Sequence, residues 1–295
     1  MRNLKTVNYD EMFTLSAPSP KWVWNAQGQL VEVPAGQPAW DHDPVTGEPL
    51  GQRIESAEAT NLLLNSFAPA TQTVSVSDAT TYTLSVYGSG SAEITAGGSG
   101  TATDGSPLTF TTTGTSVTVT VTGTLDVFQL EAGSDATSPI ETTGSAVIRA
   151  ADAAACESAF AEQYDPAQGW LFIDYDAAGG DWIFQTETEG ATNNYRSFLI
   201  RFSELILFDA PSITFNYKAN LTGHHKALLK WENGIASIYL DGELLFSGEY
   251  EMPPWVRAVF YQRTARSGSA GSGHLFDFRM GDTISDADAI ARTTL

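Results

Sequence analysis

Two short dipeptides constrain the fold of this chain more than any other feature. Asn233-Gly234 and Asp241-Gly242 lie between runs rich in β-forming residues, within the stretch from Ala227 to Tyr250. Asn-Gly and Asp-Gly pairs favour the type I′ turn, because both central residues of that turn have positive φ angles. The sequence therefore predicts three consecutive strands joined by tight turns, that is, an antiparallel meander.

The two turns also predict the register of the meander, since a two-residue loop fixes which residues lie opposite each other. The pairs predicted to lie opposite or beside each other are Trp231 and Ala236, Leu229 and Ile238, Ile238 and Leu245, and Ala236 and Ser247. This face is apolar. The other face is mixed, and we expect it to meet water or a ligand. Its residues are Lys230, Glu232, Ser237, Tyr239 and Phe246.

The meander and the end of the chain both carry features of a known fold. A strand ending in Trp231 is followed by Asn233-Gly234 and the run from Ile238 to Leu244, and the chain closes with segments 276–280 and 285–291. These segments resemble the central hairpins, last strand and closing helix of concanavalin A-like and laminin G-like lectin domains. The resemblance covers roughly residues 151–295 and implies a lectin-like sandwich there.

Composition excludes several classes of partner. The 295 residues include 35 acidic and 15 basic side chains, which gives a formal charge of −20. A phosphate-binding surface needs clustered positive charge, so nucleic acid is not an expected partner. The sequence contains neither a signal-peptide pattern nor an apolar run long enough to cross a bilayer. We therefore expect synthesis in the cytoplasm and no membrane insertion.

The single cysteine, Cys156, excludes an intrachain disulfide and a multi-cysteine metal site. A lone cysteine in an alanine-rich segment is typical of a small buried apolar side chain rather than a reactive thiol.

The first part of the chain, residues 1–57, is rich in turn residues and aromatic side chains. Trp22, Trp24 and Trp40 lie among several prolines. A segment of this composition cannot bury a core by itself, and exposed tryptophans are unfavourable. We therefore expect it to dock against a neighbouring domain or a partner chain.

The segments that flank residues 58–150 carry a second set of motifs. Asp43-Pro44-Val45-Thr46-Gly47 precedes Ile54-Glu55 and Thr60-Asn61-Leu62-Leu63, and the far side has Gln129–Gly133 and Arg149–Asp152. These motifs resemble structural proteins of tailed bacteriophages and prophages, in which a carbohydrate-binding-module-like sandwich follows. The resemblance implies a location on the virion surface, attachment to other virion proteins through the N-terminal segment, and a homotrimer like those of phage fibres.

Within residues 58–150 the pattern itself predicts strands. Apolar residues alternate with polar ones in segments 82–87 and 117–121, and glycine-rich turns lie between them. Period-two alternation with many threonines is typical of an antiparallel sandwich with one face of each sheet in water.

The sequence therefore predicts an all-β protein. It comprises an irregular N-terminal segment with short hairpins (1–57), a carbohydrate-binding-module-like β-sandwich (58–150) and a concanavalin A-like jelly-roll sandwich (151–295). In the last of these, strands are predicted at 170–175, 182–186, 195–202, 205–208, 213–218, the meander, 255–261 and 274–280. This strand count suits two packed sheets.

Catalysis and metal binding find little support in the sequence. Glycosidases of this fold carry a Glu-x-Asp-x-x-Glu-like carboxylate set, because retention needs two carboxyl groups about 5 Å apart. No such set occurs. Asp174, Asp176 and Asp181 could supply oxygen ligands to calcium, but a turn with solvated aspartates is favoured. His224 and His225 are adjacent and would point to opposite faces of a strand. We expect no catalytic residue and no cofactor other than this possible calcium.

The positive signal lies on strand faces of the C-terminal domain. If Val256, Ala258 and Phe260 face the core, their neighbours on the strand face outward. Together with the strand 195–202, this predicts a ligand-binding face made of Tyr195, Arg201, Trp255, Arg257 and Tyr261. Aromatic rings stack on sugars and guanidinium groups bind hydroxyls or carboxylates, but protein interfaces favour the same residues.

Three functions remain open at this point. The first is a non-enzymatic virion surface protein of the fibre, spike or decoration class that binds an acidic or hydroxyl-rich polysaccharide of the host surface. The second is a polysaccharide-degrading glycosidase of the same fold, and the third is a structural scaffold or spacer.

Overall fold

The computed structural model describes residues 14–179, 182–188, 196–209, 212–261 and 271–295. It contains 56% strand and 5% helix, which confirms the predicted all-β class with antiparallel sheets in sandwich-like packing. The first strands are β1 (Thr14–Ser16), β2 (Lys21–Trp24), β3 (Leu30–Val33), β4 (Trp40–His42) and β5 (Pro49–Glu55).

The middle of the chain forms β6 (Ala59–Asn61), β7 (Gln72–Ser75), β8 (Thr81–Tyr87), β9 (Ser91–Ala96), β10 (Gly100–Thr103), β11 (Leu108–Thr111), β12 (Ser116–Thr122), β13 (Val127–Ala132) and β14 (Val147–Arg149). The last part forms β15 (Ala153–Cys156), β16 (Gln168–Gly179), β17 (Trp182–Thr188), β18 (Arg196–Arg201), β19 (Glu204–Asp209), β20 (Ser212–Lys218), β21 (Gly223–Glu232), β22 (Ile235–Leu240), β23 (Glu243–Glu249), β24 (Trp255–Phe260) and β25 (Ser272–Gly281). Two helices are described, α1 (Ser158–Gln163) and α2 (Asp286–Thr293).

Two seven-stranded sheets pack face to face in the larger sandwich. The front sheet has the order β1-β15-β24-β17-β18-β19-β20, and the back sheet has the order β23-β22-β21-β16-β25-β5-β4. Phe184, Phe198 and Phe260 of the front sheet share one buried core with Leu171 and Ile238 of the back sheet. The strands predicted for this part of the chain are therefore present, and their apolar positions fill the space between the sheets.

Strands from the N-terminal part of the chain complete both sheets. Strand β1 pairs with β15, and β5 pairs with β25, with Glu55 opposite Ser272. Gly51 has φ +85°, and a Cβ atom there would lie 2.5 Å from the carbonyl oxygen of Leu275. Only glycine fits this close approach of two backbones. The described part of the N-terminal segment, from residue 14 onward, therefore docks within its own chain.

The tryptophans of β2 have partners in the middle module. The Trp22 ring lies 4.6 Å from that of Phe67, and the Trp24 ring lies 5.5 Å from that of Tyr87. These two tryptophans therefore pack against residues of the same chain. Trp40 is 42% exposed.

The middle module has its own two sheets, β10-β9-β12-β7 and β11-β8-β13, and its own core. The alternation predicted for β12 is observed, with Val117 and Val119 buried. The prediction that one face of β8 is exposed to water is wrong, because Thr83 and Ser85 on that face are also buried. Strand β8 lies between two others, and the Thr83 hydroxyl donates to the Gly133 carbonyl at 2.9 Å. A central strand can therefore be covered on both faces.

The first hairpin of the meander has the predicted register. Trp231 lies opposite Ala236 and Leu229 lies opposite Ile238. All four turn residues have positive φ, with 52° at Asn233 and 48° at Asp241. The register predicted for the second hairpin is wrong, because this hairpin contains a bulge. Ile238 pairs with Phe246 and Tyr239 pairs with Leu244, which leaves Leu245 as the extra residue. A bulge places two residues of one strand against one of its partner, which shifts the pairing by one residue.

The sequence predicted that the other face of the meander meets water or a ligand. In the structure, part of this face is covered by protein. Helix α2 covers it, and Ala289 packs with Trp170, Phe172, Leu228 and Tyr239 in a small buried cluster. The Tyr239 hydroxyl donates to Asp286 at 2.8 Å, and Lys230 donates to the same carboxylate at 2.7 Å. The helix begins at Ser285, whose side chain accepts a hydrogen bond from the Asp288 backbone amide.

A buried charge cluster joins the N-terminal strands, the middle module and the larger sandwich. Glu55 is 1% exposed and lies 3.2 Å from Arg53 Nη2, 3.4 Å from Arg149 Nε and 3.7 Å from Lys21 Nζ. It also accepts hydrogen bonds from the Ser138 backbone amide and hydroxyl, at 2.7 and 2.6 Å. Burial alone would raise the pKa of Glu55, but these cations and the hydroxyl hold it well below its ordinary value.

Cys156 is buried and unpaired, as predicted for a small apolar side chain. Burial raises the pKa of its thiol to about 12, which keeps the thiol protonated at neutral pH. Within the described residues, neither helix has the length and apolar character needed to cross a membrane.

We predict that Glu55→Gln lowers the free energy of unfolding at pH 7 by about 3–5 kcal/mol, because it leaves buried cations without their carboxylate. A carboxyl group with a lowered folded pKa stabilises the fold above its unfolded pKa, here near 4.5, and this stability is lost as the pH falls. Urea titrations from pH 7 to pH 3 should therefore show a steeper loss for the wild type than for the variant. Glu58→Gln, at an exposed position, is the control. Equal slopes for the wild type and Glu55→Gln would contradict this assignment.

Candidate functional site

The face of the front sheet that points away from the core carries a row of paired residues. Gln185 of β17 lies opposite Leu199 of β18 and opposite Val259 of β24, and Leu199 lies opposite Ile206 of β19. Their neighbours Phe184, Phe198 and Phe260 belong to the core. Because successive strand residues point to opposite sides, the row forms part of what we call the outer face.

The sequence predicted Trp255 on the outer face, and the structure shows that this prediction is wrong. Glu187 pairs with Arg257 and Thr188 with Trp255, so Val256 is an extra residue of β24. This bulge shifts the alternation of the strand, and Trp255 joins Ala258 and Phe260 in the core at 2% exposure. Its indole Nε1 donates to the Arg196 carbonyl at 2.9 Å. The ring is therefore not available to stack on a ligand.

The prediction that Tyr261 lies on the outer face is also wrong, because Tyr261 is fully buried. It follows the last residue of β24 with φ +55°, which turns its side chain out of the alternation of the strand. Its hydroxyl donates to the His274 carbonyl at 2.8 Å, and it contributes to the core. Tyr195, the third aromatic residue of the predicted face, lies outside the described residues.

The two predicted arginines do lie on the outer face, and both are ion-paired. Arg257 Nε donates to Glu187 at 2.7 Å and Nη1 donates to Glu157 at 3.0 Å. Arg201 donates to Glu204 at 2.7 Å. Among the described residues, the face therefore carries three carboxylates against two guanidinium groups and Lys218, which lies opposite Glu204, and it has no excess positive charge.

Apolar side chains form the floor at one side of the outer face. Trp182, Leu199 and Ile206 are buried together, with Phe208 packed against them. The Arg201 guanidinium lies 5.0 Å from the centroid of the Trp182 ring. Stacking of this kind fixes the direction of the guanidinium group, because a planar cation lies favourably over an aromatic ring.

Two buried polar side chains of the outer face lack hydrogen-bond partners among the described residues. Neither the amide oxygen nor the amide nitrogen of Gln185 is paired, and the Ser197 hydroxyl is unpaired as well. Both residues are 0% exposed. Ser197 lies two residues before Leu199, and Glu187 two residues after Gln185, so the antiparallel pairing places these polar groups toward one end of the face. Leaving a buried polar group unpaired costs about 1–3 kcal/mol, which calls for an explanation at this position.

Gln185 was not among the residues predicted for the ligand face, because the features typical of a sugar site are aromatic rings and arginines. The alternation of Phe184 with Gln185 in a predicted strand was a usable signal, since it places a polar residue on the side away from the core. Ser197 carries the same signal, since it alternates with Phe198 in the predicted strand 195–202.

The predicted calcium ligands lie differently from expectation. Asp174 and Asp176 lie within β16 rather than in a turn, and Asp174 Oδ1 lies 2.7 Å from His224 Nε2. Asp181 lies outside the described residues. In the part of the chain that is described, no three His, Cys, Asp or Glu side chains are arranged to hold a metal ion. Calcium binding that involves Asp181 stays a prediction.

Comparisons with known proteins found no matching family model and no matching curated protein. Among solved structures, the CBM40 domain of Ruminococcus gnavus IT-sialidase is 18% identical, over 43% of this chain and 83% of that chain, with a TM-score of 0.32. NanB sialidase from Streptococcus pneumoniae is 15% identical, over 46% of this chain and 26% of that chain, with a TM-score of 0.37. A pentraxin from Limulus polyphemus is 11% identical, over 73% of this chain and 82% of that chain, with a TM-score of 0.32. Likenesses at this level assign neither a family nor a ligand to this chain.

We predict that Gln185→Met raises the free energy of unfolding by about 1–3 kcal/mol, because methionine has a similar length and no polar atoms to leave unpaired. The measurement is urea unfolding at pH 7. Gln168→Met, at an exposed position, should change stability by less than about 0.5 kcal/mol. A loss of stability in Gln185→Met would show that the amide has a partner within the free protein, such as a bound water.

Proposed function

We propose that this chain is a non-enzymatic glycan-binding protein of a virion surface, and that the outer face binds a neutral, hydroxyl-rich sugar. The observation that carries the proposal is that two buried polar side chains, Gln185 and Ser197, have no hydrogen-bond partner within the part of the chain that the structure describes. Their unsatisfied hydrogen-bonding capacity is best explained by a ligand that supplies both donors and acceptors.

A sugar hydroxyl matches these groups chemically. The Gln185 amide offers one acceptor and one donor group, and the Ser197 hydroxyl can act in either sense. A single sugar ring carries several hydroxyls that also donate and accept. Such a ring could therefore satisfy the amide and the hydroxyl together, which an apolar ligand could not.

The ion pairs of the outer face favour a neutral ligand over an acidic one. Arg201 and Arg257 are bonded to carboxylates at 2.7 to 3.0 Å, and a ligand carboxylate would have to displace these partners. Glu187 is 3% exposed, so freeing its arginine would take a cation away from a buried carboxylate, which is costly. A chain with a formal charge of −20 also repels anions at long range.

Access to the site requires a local rearrangement, because the Gln185 and Ser197 atoms are covered. Opening of this kind reduces the apparent affinity by the fraction of molecules that are open. Many copies on one particle offset a weak single site, since avidity gains reach roughly 10² to 10⁴ in favourable geometry.

The carboxylates of the outer face support binding rather than catalysis. Glu187, Glu157 and Glu204 each bond an arginine, and we propose that they position guanidinium groups. We therefore expect no release of reducing sugar from any glycan that binds. Detectable release would favour the glycosidase alternative.

A virion location and a trimeric state are supported by the phage-like sequence motifs around residues 43–63 and 129–152. In the structure, the Asp43 carboxylate accepts hydrogen bonds from the Val45 and Thr46 amides, at 2.8 and 2.7 Å, and Gly47 has φ +73°. Such a turn is defined by its own residues, and the exposed Trp40 beside it is a candidate contact for other virion proteins.

We predict that the full-length chain, in light scattering with mass determination, is a trimer, and that Trp40→Ser shifts it toward the monomer. A monomeric wild type at the concentrations reached in a particle would contradict the oligomer. It would leave the glycan site untested, because the outer face is built from one chain.

We also predict that neutral hexose oligosaccharides bind the purified chain and that Gln185→Met weakens this binding at least tenfold, since it removes the groups that receive the hydroxyls. Isothermal titration or saturation-transfer NMR would measure it, with Gln168→Met as the matched control. Sialyllactose, seen bound to the R. gnavus CBM40 domain, serves as the acidic probe and should bind more weakly.

Two results would count against this proposal. Equal binding by Gln185→Met and wild type would place the sugar elsewhere, and failure of every neutral probe would leave the scaffold alternative in first place.

A further inference from the structure

A second candidate site lies on the opposite side of the larger sandwich, beside helix α2. A cavity of about 800 Å³ is lined there by Trp170 of β16, by Thr283 and Ser285 before the helix, and by Asp288 and Arg292 of the helix. None of these residues belongs to the outer face, so this site is independent of the glycan site proposed above.

Arg292 has an unusual environment for an arginine of this chain. Its guanidinium carbon lies 4.8 Å from the centroid of the Trp170 ring and 5.7 Å from that of Phe172. The Nε atom is buried, and within the described residues it has no hydrogen-bond partner. Among the described residues no carboxylate is in direct ion-pair contact with this guanidinium group, although Arg292 acts on the Asp277 carboxylate from farther away and offsets part of the rise in its pKa that burial causes.

The Nε atoms of Arg149 and Arg196 are also buried without a hydrogen-bond partner, but every other described arginine has a partner for at least one guanidinium nitrogen. Arg53 and Arg149 bond to Glu55 or backbone carbonyls, Arg196 donates to the Glu251 carbonyl, and Arg279 lies 2.5 Å from Asp277. Arg201 and Arg257 bond to the glutamates of the outer face. A guanidinium group has five N–H donors, and a chain with more than twice as many acidic as basic residues offers it many acceptors.

The stacking on Trp170 and Phe172 prepares Arg292 to bind a planar anion. Aromatic contact on one side restricts the side chain, so less rotamer freedom is lost when a ligand arrives. The edge of the guanidinium group can then donate two parallel hydrogen bonds to a carboxylate. The Ser285 hydroxyl donates to Asp288 at 2.6 Å, which engages that carboxylate within the wall of the cavity.

We propose that this cavity binds a ligand with a single carboxylate group through Arg292. The carboxylate could belong to a uronic acid residue of a polysaccharide or to a small free acid, and both present the same planar pair of oxygens. A dianion is disfavoured, because Asp288 also lines the cavity.

The test uses the full-length chain and four probes: glucuronate, methyl glucoside, acetate and sulfate. Binding is followed by NMR at the Arg292 Nε–H resonance and by isothermal titration. We expect glucuronate to shift this resonance and methyl glucoside to leave it unchanged. Binding of acetate as well as glucuronate would identify a general carboxylate site, whereas glucuronate alone would identify an acidic sugar.

Two variants and one control separate binding from folding. Arg292→Lys keeps the charge and the aliphatic stem but loses the fork, and Arg292→Gln loses the charge, so both should weaken glucuronate binding at least tenfold. Lys218→Gln removes an exposed cation of the front sheet, on the other side of the sandwich, and should bind as the wild type does. Thermal unfolding verifies that each variant is folded.

Undiminished glucuronate binding by folded Arg292→Lys and Arg292→Gln would overturn the proposal, and so would an Nε–H resonance that no carboxylate shifts. Gln185→Met should retain glucuronate binding at this cavity. Failure here is therefore distinguishable from failure of the glycan site on the outer face.

Discussion

The architecture depends on one buried carboxylate, Glu55, at the point where the chain leaves β5 for the middle module. Lys21 from β2, Arg53 from β5 and Arg149 from β14 all lie within 3.7 Å of it. Lys21 also bonds to Asp152, which lies just before β15. Three cations and their acids are thus taken out of water together, and the arrangement is stable only when every member is present.

This cluster explains how strands far apart in sequence share one sandwich. Strand β5 pairs with β25. Glu55 anchors the end of β5, and the chain comes back to the same point after the middle module, where the Asp152 carboxylate accepts a hydrogen bond from the Glu55 backbone amide at 2.8 Å. With β5 and β1 in place, both edges of the larger sandwich are extended, and the front sheet is held against a complete back sheet.

The contrast between these two regions is the basis for assigning function. At the Glu55 cluster the carboxylate and the three cations are paired with one another, as expected of a structural element, while the Arg149 Nε atom and the neighbouring Ser56 hydroxyl lack a hydrogen bond among the described residues. On the outer face the Gln185 amide and the Ser197 hydroxyl have none among the described residues, although both are fully buried. Unpaired buried polar groups lower the stability of the fold, and proteins usually keep such groups where they contribute to binding.

Local sequence signals predicted much of the fold and less of the site. The Asn233-Gly234 turn and the period-two patterns were sufficient for the strands and the first hairpin, because these depend on neighbouring residues. The bulges at Val256 and Leu245 were not predictable, since one inserted residue leaves no mark in an apolar strand and yet reverses the sides that follow. That single reversal moved Trp255 from the expected ligand face into the core. The pairing of β5 with β25 was equally hidden, because it joins residues more than two hundred positions apart.

The most direct measurement is a crystal structure of the chain with the neutral oligosaccharide that binds it most tightly, at a resolution that shows ordered water. The outer face should hold the sugar, with hydroxyl groups at hydrogen-bond distance, about 3 Å, from the Gln185 amide and the Ser197 hydroxyl. A sugar bound elsewhere, with the Gln185 amide paired to another protein group or to a water that the ligand does not displace, would contradict the assignment of this face as the glycan site.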